Sequence, residues 1–334
     1  KSKFFDQLRP SQRPRSRTMI ALVAFAALTG GAAAARVPAV KIGVDVGGKD
    51  VLLPLVGAGT WQYNDTTAYE SVCKAFSVGY TMIDTANGYG NERGVGRAIK
   101  DCWKAPREDL FVMTKIPGGL NATETAAAHR QNLAWLQLDY VDHLMTHFPA
   151  DWAVTPKRSS PAARQEEWRA LELIYKSGEA RSIGVSHYCA SHLDDVMEIQ
   201  TVRPSINQVE WHVGSGDVDA VADACRKHGV HFMSFSPLCG PCDYDEKDSL
   251  TDGELVTAIG RAHNVTGSQV SLRFLVQQAL DEPTAFAGVI PKSNTLAHLQ
   301  SNIDLFGFEL SAEEFASLAV ATQPAASGGD CDVP

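Results

Sequence analysis

The amino-acid sequence predicts a closed parallel (β/α)8 barrel, the TIM-barrel architecture, with an N-terminal β-hairpin and two extra helices. From residue 41 onward, short runs rich in β-branched and aromatic residues alternate with amphipathic stretches of helical period. Eight such runs follow the hairpin, with helical patterns between them. Eight strands alternating with helices is the arithmetic of this barrel, and 334 residues are enough to build one.

The predicted elements follow one another in a regular order. The hairpin strands are Lys41–Val46 and Asp50–Leu53, around Gly47 and Gly48. The barrel strands are Val56–Trp61, Tyr80–Asp84, Leu110–Lys115, Tyr140–His147, Arg181–Ser186, Ile206–Trp211, Val230–Pro237 and Ala287–Pro291. The helices are Thr67–Ser77, Glu92–Lys100, Thr123–Leu136, Ala163–Lys176, His192–Ile199, Val218–His228, a longer region Glu254–Leu280, Thr295–Asp304 and Ala312–Val320. The barrel domain is therefore expected at 37–322, with a short flexible tail at 323–334.

One glycine-rich segment raises the alternative of a doubly wound open sheet, which needs phosphate-binding glycines after its first strand. The segment Gly88-Tyr-Gly90-Asn-Glu-Arg93-Gly94 follows a strand and opens a helix, but Arg93 stands where the third glycine is needed. Gly57-Ala-Gly59 is shorter still. A dinucleotide, if bound, must be held in another way, which makes the open sheet the weaker alternative.

The first 36 residues differ in composition from the rest of the chain. Lys1–Arg17 carries six basic residues and one acid, Asp6, and is followed by the apolar run Met19–Leu28 and the small residues Gly30–Ala35. This layout is typical of a secretory signal peptide, so we expect residues 1–36 to direct the chain to the secretory pathway or endoplasmic reticulum. The alternatives are a plastid or mitochondrial presequence, or a disordered extension on a cytoplasmic protein.

Charge and composition limit the partners. The net charge of −9 gives no general attraction to a phosphate backbone, so we expect no nucleic-acid partner. The apolar run is shorter than the roughly 20 residues that span a bilayer, so we expect no stable membrane insertion. The seven cysteines are scattered along the chain, which does not indicate a disulfide scaffold. We expect a monomer.

Four ionisable residues lie at or just after the ends of three neighbouring predicted strands. Asp84 and Tyr89 follow the second strand, Lys115 ends the third and His147 ends the fourth. Each alone is better explained as a helix cap, a snorkelling amine, a buried imidazole or a packing aromatic. Together they are expected on one rim, because the carboxyl ends of barrel strands surround the active site.

The sequence at these positions resembles the aldo-keto reductase family. Gly79–Gly96 is similar to the family's first signature, Phe111–Ile116 to its lysine strand and Leu144–Pro149 to its histidine strand. Further motifs follow in the family's order and spacing at Ile183–Tyr188, Asn207–His212, Ser234–Leu238 and Ile290–Ser293. The resemblance, which runs from residue 41 to 320, implies NADPH-dependent reduction of aldehydes and ketones to alcohols.

The resemblance implies that Asp84, Tyr89, Lys115 and His147 form a catalytic tetrad. Reduction of a carbonyl needs a hydride on carbon and a proton on oxygen, and a free tyrosine is a weak acid with a pKa of about 10. We expect the Lys115 ammonium to lower the pKa of Tyr89, the proton donor, and Asp84 to hold that ammonium in place. His147 is expected to hydrogen-bond the substrate oxygen.

The resemblance also implies the cofactor site. Ser186, His187 and Gln208 would bind the nicotinamide carboxamide, and Phe235 would stack on the ring. His187 replaces an asparagine that is usual in the family, and Phe235 replaces a tyrosine. Other residues are assigned to the rest of the cofactor: Ser236 and Leu238 to the pyrophosphate, Lys292, Ser293 and His298 to the 2′-phosphate, and Asn302 to the adenine. Because an arginine is usual where His298 stands, we expect NADPH to be preferred over NADH less strongly.

Large aromatic residues are expected at the substrate mouth. Trp61, Phe148 and Trp211 lie at strand ends where the resemblance places the substrate pocket, together with His147. Apolar walls of this kind suit aldehydes and ketones of modest polarity. The alternative is that they only plug the rim. The short tail predicts an open mouth and small-molecule carbonyl substrates, small aldehydes above all.

Two cysteines and two histidines raise further alternatives. Cys239-Gly-Pro-Cys242 has redox spacing in an unsuitable barrel context, which favours structural or incidental cysteines over a disulfide that tunes cofactor exchange. His143 and His147 have no convincing third ligand, so no metal is expected.

Two other function classes compete with the reductase. The first is a cofactor-binding regulatory barrel, a sensor resembling channel β subunits, which need not keep the proton donor. The second is a hydrolase, which lacks paired carboxylates at this rim.

Overall fold

The structure, a computed structural model, describes residues 37–150, 159–240, 242, 245–326 and 331; the predicted targeting segment at 1–36 lies outside them. The strands are β1 (Ala39–Val44), β2 (Asp50–Pro54), β3 (Ala58–Gly59), β4 (Met82–Asp84), β5 (Phe111–Ile116), β6 (His143–Thr146), β7 (Ile183–Ser186), β8 (Ile206–Glu210), β9 (His231–Phe235) and β10 (Phe286–Val289). The α-helices are α1 (Asp65–Ser77), α2 (Glu92–Cys102), α3 (Ala122–Leu136), α4 (Pro161–Ser177), α5 (Ala190–Ile199), α6 (Val221–His228), α7 (Glu254–His263), α8 (Gly267–Asp281), α9 (Leu296–Ile303) and α10 (Ala312–Ala319).

Strands β3 to β10 form one parallel sheet in chain order. The sheet closes on itself because Val289 in β10 hydrogen-bonds the segment that leads into β3. Its amide donates to the Leu55 carbonyl at 2.9 Å, and its carbonyl accepts from the Gly57 amide at 2.9 Å. The predicted (β/α)8 barrel is confirmed, with α7 and α10 as the extra helices.

The antiparallel hairpin β1–β2 is also confirmed, and it lies at the amino ends of the barrel strands. Arg181, just before β7, contacts Asp45 of the hairpin at 3.4 Å and Asp142 at 2.9 Å. Val51 and Leu53 of β2 are fully buried. The hairpin therefore covers the end of the barrel opposite the predicted site.

Two predicted helices differ from the structure, and backbone conformation explains both differences. The region predicted at Glu254–Leu280 is two helices, because Asn264 adopts a left-handed φ of 56° and Thr266 caps a new helix. The helix predicted at Val218–His228 begins only at Val221, because Asp219 and Ala220 both have positive φ.

Gly94, the last residue of the glycine-rich segment 88–94, allows two helices to pack closely. A Cβ at this position would lie 2.1 Å from the backbone oxygen of Asp65, and the Gly94 amide donates to the Asp65 side chain at 2.7 Å. A glycine is therefore required because α2 approaches the start of α1 at backbone distance.

The scattered spacing of the cysteines does not predict the pairing that the structure contains. Six of the seven cysteines are paired, as Cys73–Cys102, Cys189–Cys331 and Cys239–Cys242, and Cys225 is free and buried. The first two pairs join segments 29 and 142 residues apart in sequence, so scattered spacing concealed them.

Among the described residues, no helix has both the length and the apolar character needed to cross a bilayer.

Candidate active site

The Lys115 side chain lies in the centre of the site and is completely buried. Its ammonium donates to both carboxylate oxygens of Asp84 at 2.8 Å, to the Thr85 carbonyl at 3.1 Å and to the Tyr89 hydroxyl at 3.3 Å. The structure therefore brings three of the four predicted residues into direct contact.

Strand pairing explains this convergence. All six residues of β5 are buried, and its neighbours are β4, which ends at Asp84, and β6. Tyr89 lies in a 3-10 turn at Asn87–Tyr89, just beyond β4. Gln208 donates to Asp84 at 3.0 Å from β8 across the barrel, so two side chains fix the carboxylate.

The charges in this cluster balance one another. Burial alone would lower the pKa of Lys115, but the nearby Asp84 carboxylate and Tyr89 together hold it above its ordinary value. Burial raises the pKa of Tyr89 above 10, and the Lys115 ammonium opposes that rise. The prediction of a net lowered Tyr89 pKa is thus corrected: desolvation outweighs the ammonium, and the phenol stays protonated at neutral pH.

His147, just after β6, lies beside the phenol. The centroid of its ring is 5.5 Å from that of the Tyr89 ring. The His147 ring also stacks on the Phe148 ring, with 4.4 Å between the two centroids. Burial, reinforced by the Lys115 charge, lowers the pKa of His147 to about 2. The imidazole is therefore neutral and can donate one hydrogen bond while carrying no charge.

The residues predicted to bind the nicotinamide lie on the adjacent rim. The Ser186 hydroxyl donates to the Gln208 carbonyl at 3.0 Å, and the His187 ring contacts the Phe235 ring at 4.6 Å. His187 has a φ of 59°, in the left-handed region that asparagine and histidine tolerate better than most residues. This set of hydroxyl, imidazole, amide and aromatic groups fits a nicotinamide ring with its carboxamide.

The residues predicted for the rest of the cofactor are spread along the rim. In the segment after β9, Ser236 has a φ of 46° and Leu238 packs partly buried against the core. Lys292, after β10, is exposed and donates to Gln62 at 2.7 Å. Ser293 accepts from the Thr295 amide at 3.1 Å, whereas α9 carries the exposed His298 and the buried Asn302. An exposed ammonium and a hydroxyl on adjacent residues are groups that can bind a phosphate.

The aromatic residues predicted for the substrate mouth differ in exposure. The Trp61 side chain is 45% exposed, whereas Trp211 is 9% exposed and packs edge-on against Phe232 at 5.0 Å. Phe148 stacks on His147. The Trp61 indole is therefore accessible to solvent, whereas Trp211 belongs largely to the packed interior.

The described part of the tail packs against this rim. Pro324 is buried, and a Cβ on Gly214 would lie 2.4 Å from the Gln323 carbonyl oxygen. The disulfide between Cys331 and Cys189 ties the tail to the start of α5. Composition alone predicts a flexible tail, because it does not reveal these contacts or the disulfide partner.

Two features of the site were missed at the sequence level. Glu92, the first residue of α2, is buried and accepts a hydrogen bond from Thr114 at 2.5 Å; burial raises the pKa of Glu92 to about 7. Glu210 and His212 lie beside Cys242, within reach of the cysteine pair. The available signal for the second feature was a Glu-x-His sequence at a strand end followed by a C-x-x-C sequence.

Comparisons with known proteins agree with this geometry. A family model described as Aldo/keto reductase family matches residues 55–322. The glyoxal reductase of Bacillus subtilis (strain 168) is 35% identical over 266 residues, covering 79% of this chain and 87% of the relative. An aldo-keto reductase from a Medee basin deep-sea metagenome library superposes with a TM-score of 0.72 at 33% identity, covering 83% of this chain and 95% of that one. A Bombyx mori aldo-keto reductase, solved in complex with NADP, has a TM-score of 0.73 at 26% identity, covering 86% of this chain and 93% of that one.

The match includes all eight barrel strands and the cluster around Lys115. The relatives are similar over most of their own length as well as most of this chain. The chain therefore belongs to the aldo/keto reductase family and is an NAD(P)H-dependent oxidoreductase acting on carbonyl groups.

Proposed function

We propose that this protein reduces aldehydes and ketones to alcohols with NADPH, and that Tyr89 donates the proton. The observation that carries the proposal is the completely buried Lys115, whose ammonium contacts both the Asp84 carboxylate and the Tyr89 hydroxyl. A buried cation beside a phenol favours the negative charge that the phenol acquires when it gives up its proton.

The three side chains divide the proton transfer between them. Tyr89 starts protonated and delivers its hydroxyl proton to the carbonyl oxygen. The Lys115 ammonium lies 3.3 Å from the Tyr89 hydroxyl oxygen and stabilises the resulting phenolate. The Asp84 carboxylate keeps Lys115 charged in a buried site. A general acid placed in this way contributes about 10²–10⁴-fold in rate.

His147 orients the substrate in this proposal. Its ring lies 5.5 Å from the Tyr89 ring, so a carbonyl oxygen between them can accept from both. Because the imidazole is neutral, it donates a hydrogen bond without competing with Tyr89 as an acid.

Ser186, His187, Gln208 and Phe235 would hold the nicotinamide end of the cofactor. When bound, the reduced nicotinamide supplies the hydride to the carbonyl carbon. Lys292, Ser293 and His298 would meet the 2′-phosphate, with Asn302 at the adenine and with Ser236 and Leu238 along the pyrophosphate. The Bombyx mori relative was solved with NADP, which supports NADPH as the cofactor.

The substrate class is small aldehydes and ketones. The ring of Phe148, which stacks on His147, and the exposed indole of Trp61 would provide the apolar wall for such a substrate. The Bacillus subtilis relative is a glyoxal reductase, which supports a small dicarbonyl or aldehyde as substrate.

The compartment proposed for this protein is the secretory pathway, to which residues 1–36 would direct it. A chain with three disulfides is typical of an oxidising environment, which fits entry into the secretory pathway.

The direct test of the proposed reaction replaces the proton donor. Tyr89→Phe is expected to reduce the turnover of a small aromatic aldehyde by about 10²–10⁴-fold. NADPH binding, followed by cofactor fluorescence, is expected to stay unchanged, since the ring is retained. The matched control is Tyr175→Phe, because that hydroxyl donates to Val44 in the hairpin at the other end of the barrel.

Near-wild-type turnover in Tyr89→Phe would refute the assignment of the donor. A wild-type protein that binds NADPH tightly but reduces no carbonyl in a broad screen would favour the sensor.

A further inference from the structure

Four side chains with metal-binding atoms meet outside the proposed catalytic cluster. Glu210 ends β8 and His212 follows it, whereas Cys239 and Cys242 lie in the loop after β9. One ligand atom from each lies within 4.8 Å of all the others. His212 and Cys239 are buried, and Glu210 and Cys242 are half-buried.

The distances match the edges of a zinc tetrahedron. The His212 Nε2 atom is 3.4 Å from Glu210 Oε1 and 3.7 Å from Cys242 Sγ, and that sulfur is 3.5 Å from Glu210 Oε1. Zinc bond lengths of about 2.0 Å to nitrogen or oxygen and about 2.3 Å to sulfur give edges of about 3.3 Å between N and O and about 3.5 Å to S. Three edges of the coordination polyhedron are therefore present in the folded chain.

The orientation of His212 is also that of a metal ligand. Its Nδ1 lies 2.9 Å from the Val213 carbonyl, to which a neutral ring donates its only proton. The Nε2 lone pair then faces the Glu210 carboxylate and the Cys242 sulfur. Facing acceptors repel each other unless a proton or a cation lies between them. Metal-binding histidines are commonly held by such a bond to a backbone carbonyl.

We propose that Glu210, His212, Cys239 and Cys242 bind one Zn²⁺ when the Cys239–Cys242 disulfide is reduced. A dithiol reductant supplies two electrons and two protons, which break the S–S bond and leave two thiols while the dithiol becomes a disulfide. Zn²⁺ then displaces the two thiol protons and bonds both thiolates, the imidazole nitrogen and a carboxylate oxygen.

The zinc form and the disulfide form exclude each other. A disulfide holds its sulfurs about 2 Å apart, whereas two thiolates on one tetrahedral zinc stand about 3.8 Å apart. The two cysteines are separated by two residues, the spacing of many structural zinc sites. The metal would join the end of β8 to the loop that also carries Ser236 and Leu238. The site stands independently of the proposed carbonyl reduction.

The test measures metal content in both redox forms of the full chain. One portion of protein is reduced with a dithiol, which is then removed without oxygen, and the other is left oxidised. After addition of Zn²⁺ and gel filtration, elemental analysis is expected to find one zinc per chain in the reduced form and none in the oxidised form. Co²⁺ added to the reduced form is expected to give the intense visible bands of tetrahedral cobalt–thiolate coordination.

Variants separate this site from unspecific thiol binding. Cys239→Ser/Cys242→Ser is expected to lose the zinc and the cobalt bands, and His212→Gln to weaken zinc binding at least tenfold. The matched control is Cys73→Ser/Cys102→Ser, which removes the same number of thiols and is expected to retain both signals. Circular dichroism confirms that each variant is folded.

Two outcomes would overturn the proposal. One is a reduced wild-type chain that holds no zinc, which would show that His212 and Glu210 lie beside the disulfide without binding a metal. The other is zinc binding that is lost equally in the Cys73/Cys102 control.

Discussion

Lys115 and Lys292 lie at the same end of the barrel, but their surroundings differ in almost every respect. Lys115 is completely buried, and its ammonium donates to two carboxylate oxygens, a carbonyl and a phenol. Lys292 is exposed, and its ammonium donates to the neutral amide oxygen of Gln62 at 2.7 Å. The same side chain is thus a fixed internal charge in one place and a solvated charge in the other.

The difference shows where electrostatic effects are large in this protein. A charge in a buried site acts through a low dielectric, and losing its partner leaves an expensive uncompensated ion. A charge at the surface is screened by water and salt. We therefore expect the effect of removing a charge to be larger where the charge is more deeply buried, and three sets of variants test this.

The largest effect is expected for Lys115→Met. Without the ammonium, nothing offsets the burial of Tyr89, and Asp84 keeps a buried charge without its cation. We expect aldehyde turnover to fall by about 10²–10⁴-fold or more, measured as kcat at saturating NADPH.

The control for this variant is Asp84→Asn combined with Lys115→Met, which removes both charges. Thermal unfolding is expected to recover in the double variant, whereas turnover is not. Turnover that recovers along with stability would mean that the ammonium has only a structural role.

An intermediate effect is expected for Glu92→Gln, and it concerns stability. Burial raises the pKa of Glu92 to about 7, against 4.5 for an ordinary glutamate. Between these values the folded state binds more protons than the unfolded state, so the free energy of unfolding falls as pH rises through that window. The wild type should lose up to about 3 kcal/mol between pH 4.5 and 7, and the variant less.

Urea unfolding at pH 5 and pH 7.5 measures the Glu92 effect. The control is Glu70→Gln, an exposed carboxylate on α1, which should leave the pH dependence of the wild type in place. An identical pH dependence in Glu92→Gln and wild type would contradict the assignment of the buried proton.

The smallest effect is expected for Lys292→Met. The ion pair that Lys292 would form with the 2′-phosphate of NADPH is exposed, and losing such a pair costs up to about 1 kcal/mol. The KM for NADPH should therefore rise about two- to fivefold. The KM for NADH should not change, because NADH lacks the 2′-phosphate.

Lys74→Met is the matched control for Lys292, because it removes a half-buried lysine charge whose ammonium donates to the carbonyl of Asn294, two residues beyond Lys292. It should leave both cofactors' KM values unchanged. A hundredfold rise in the NADPH KM for Lys292→Met would show that Lys292 acts as a desolvated charge like Lys115.

Much of the proposed catalytic cluster could be predicted from sequence because strand ends in this fold converge. Asp84 and Lys115 occupy such ends, so alternation and polar placement were enough to bring them together on one rim. The Tyr89 pKa could not be predicted in the same way. Its direction depends on whether desolvation exceeds the attraction of an ammonium 3.3 Å away, and both quantities require coordinates.

The cysteines show the opposite case. Nothing in the spacing of Cys189 and Cys331, 142 residues apart, indicates that they meet. Glu210 and His212 came close to Cys239 and Cys242 only because β8 pairs with β9, where Glu210 is in register with Phe235. The Glu-x-His and C-x-x-C motifs can both be read from the sequence, but their proximity in space cannot.

The alternation of strands and helices, the hairpin and the polar ends of β4 to β6 were determined by the sequence itself, because periodicity and strand-end position are local properties of the chain. The tertiary structure alone decided which cysteines pair, where the tail packs and which charges are desolvated. Those outcomes depend on distances between residues far apart in sequence, such as Gln208 and Asp84, whose side chains meet at 3.0 Å across the barrel.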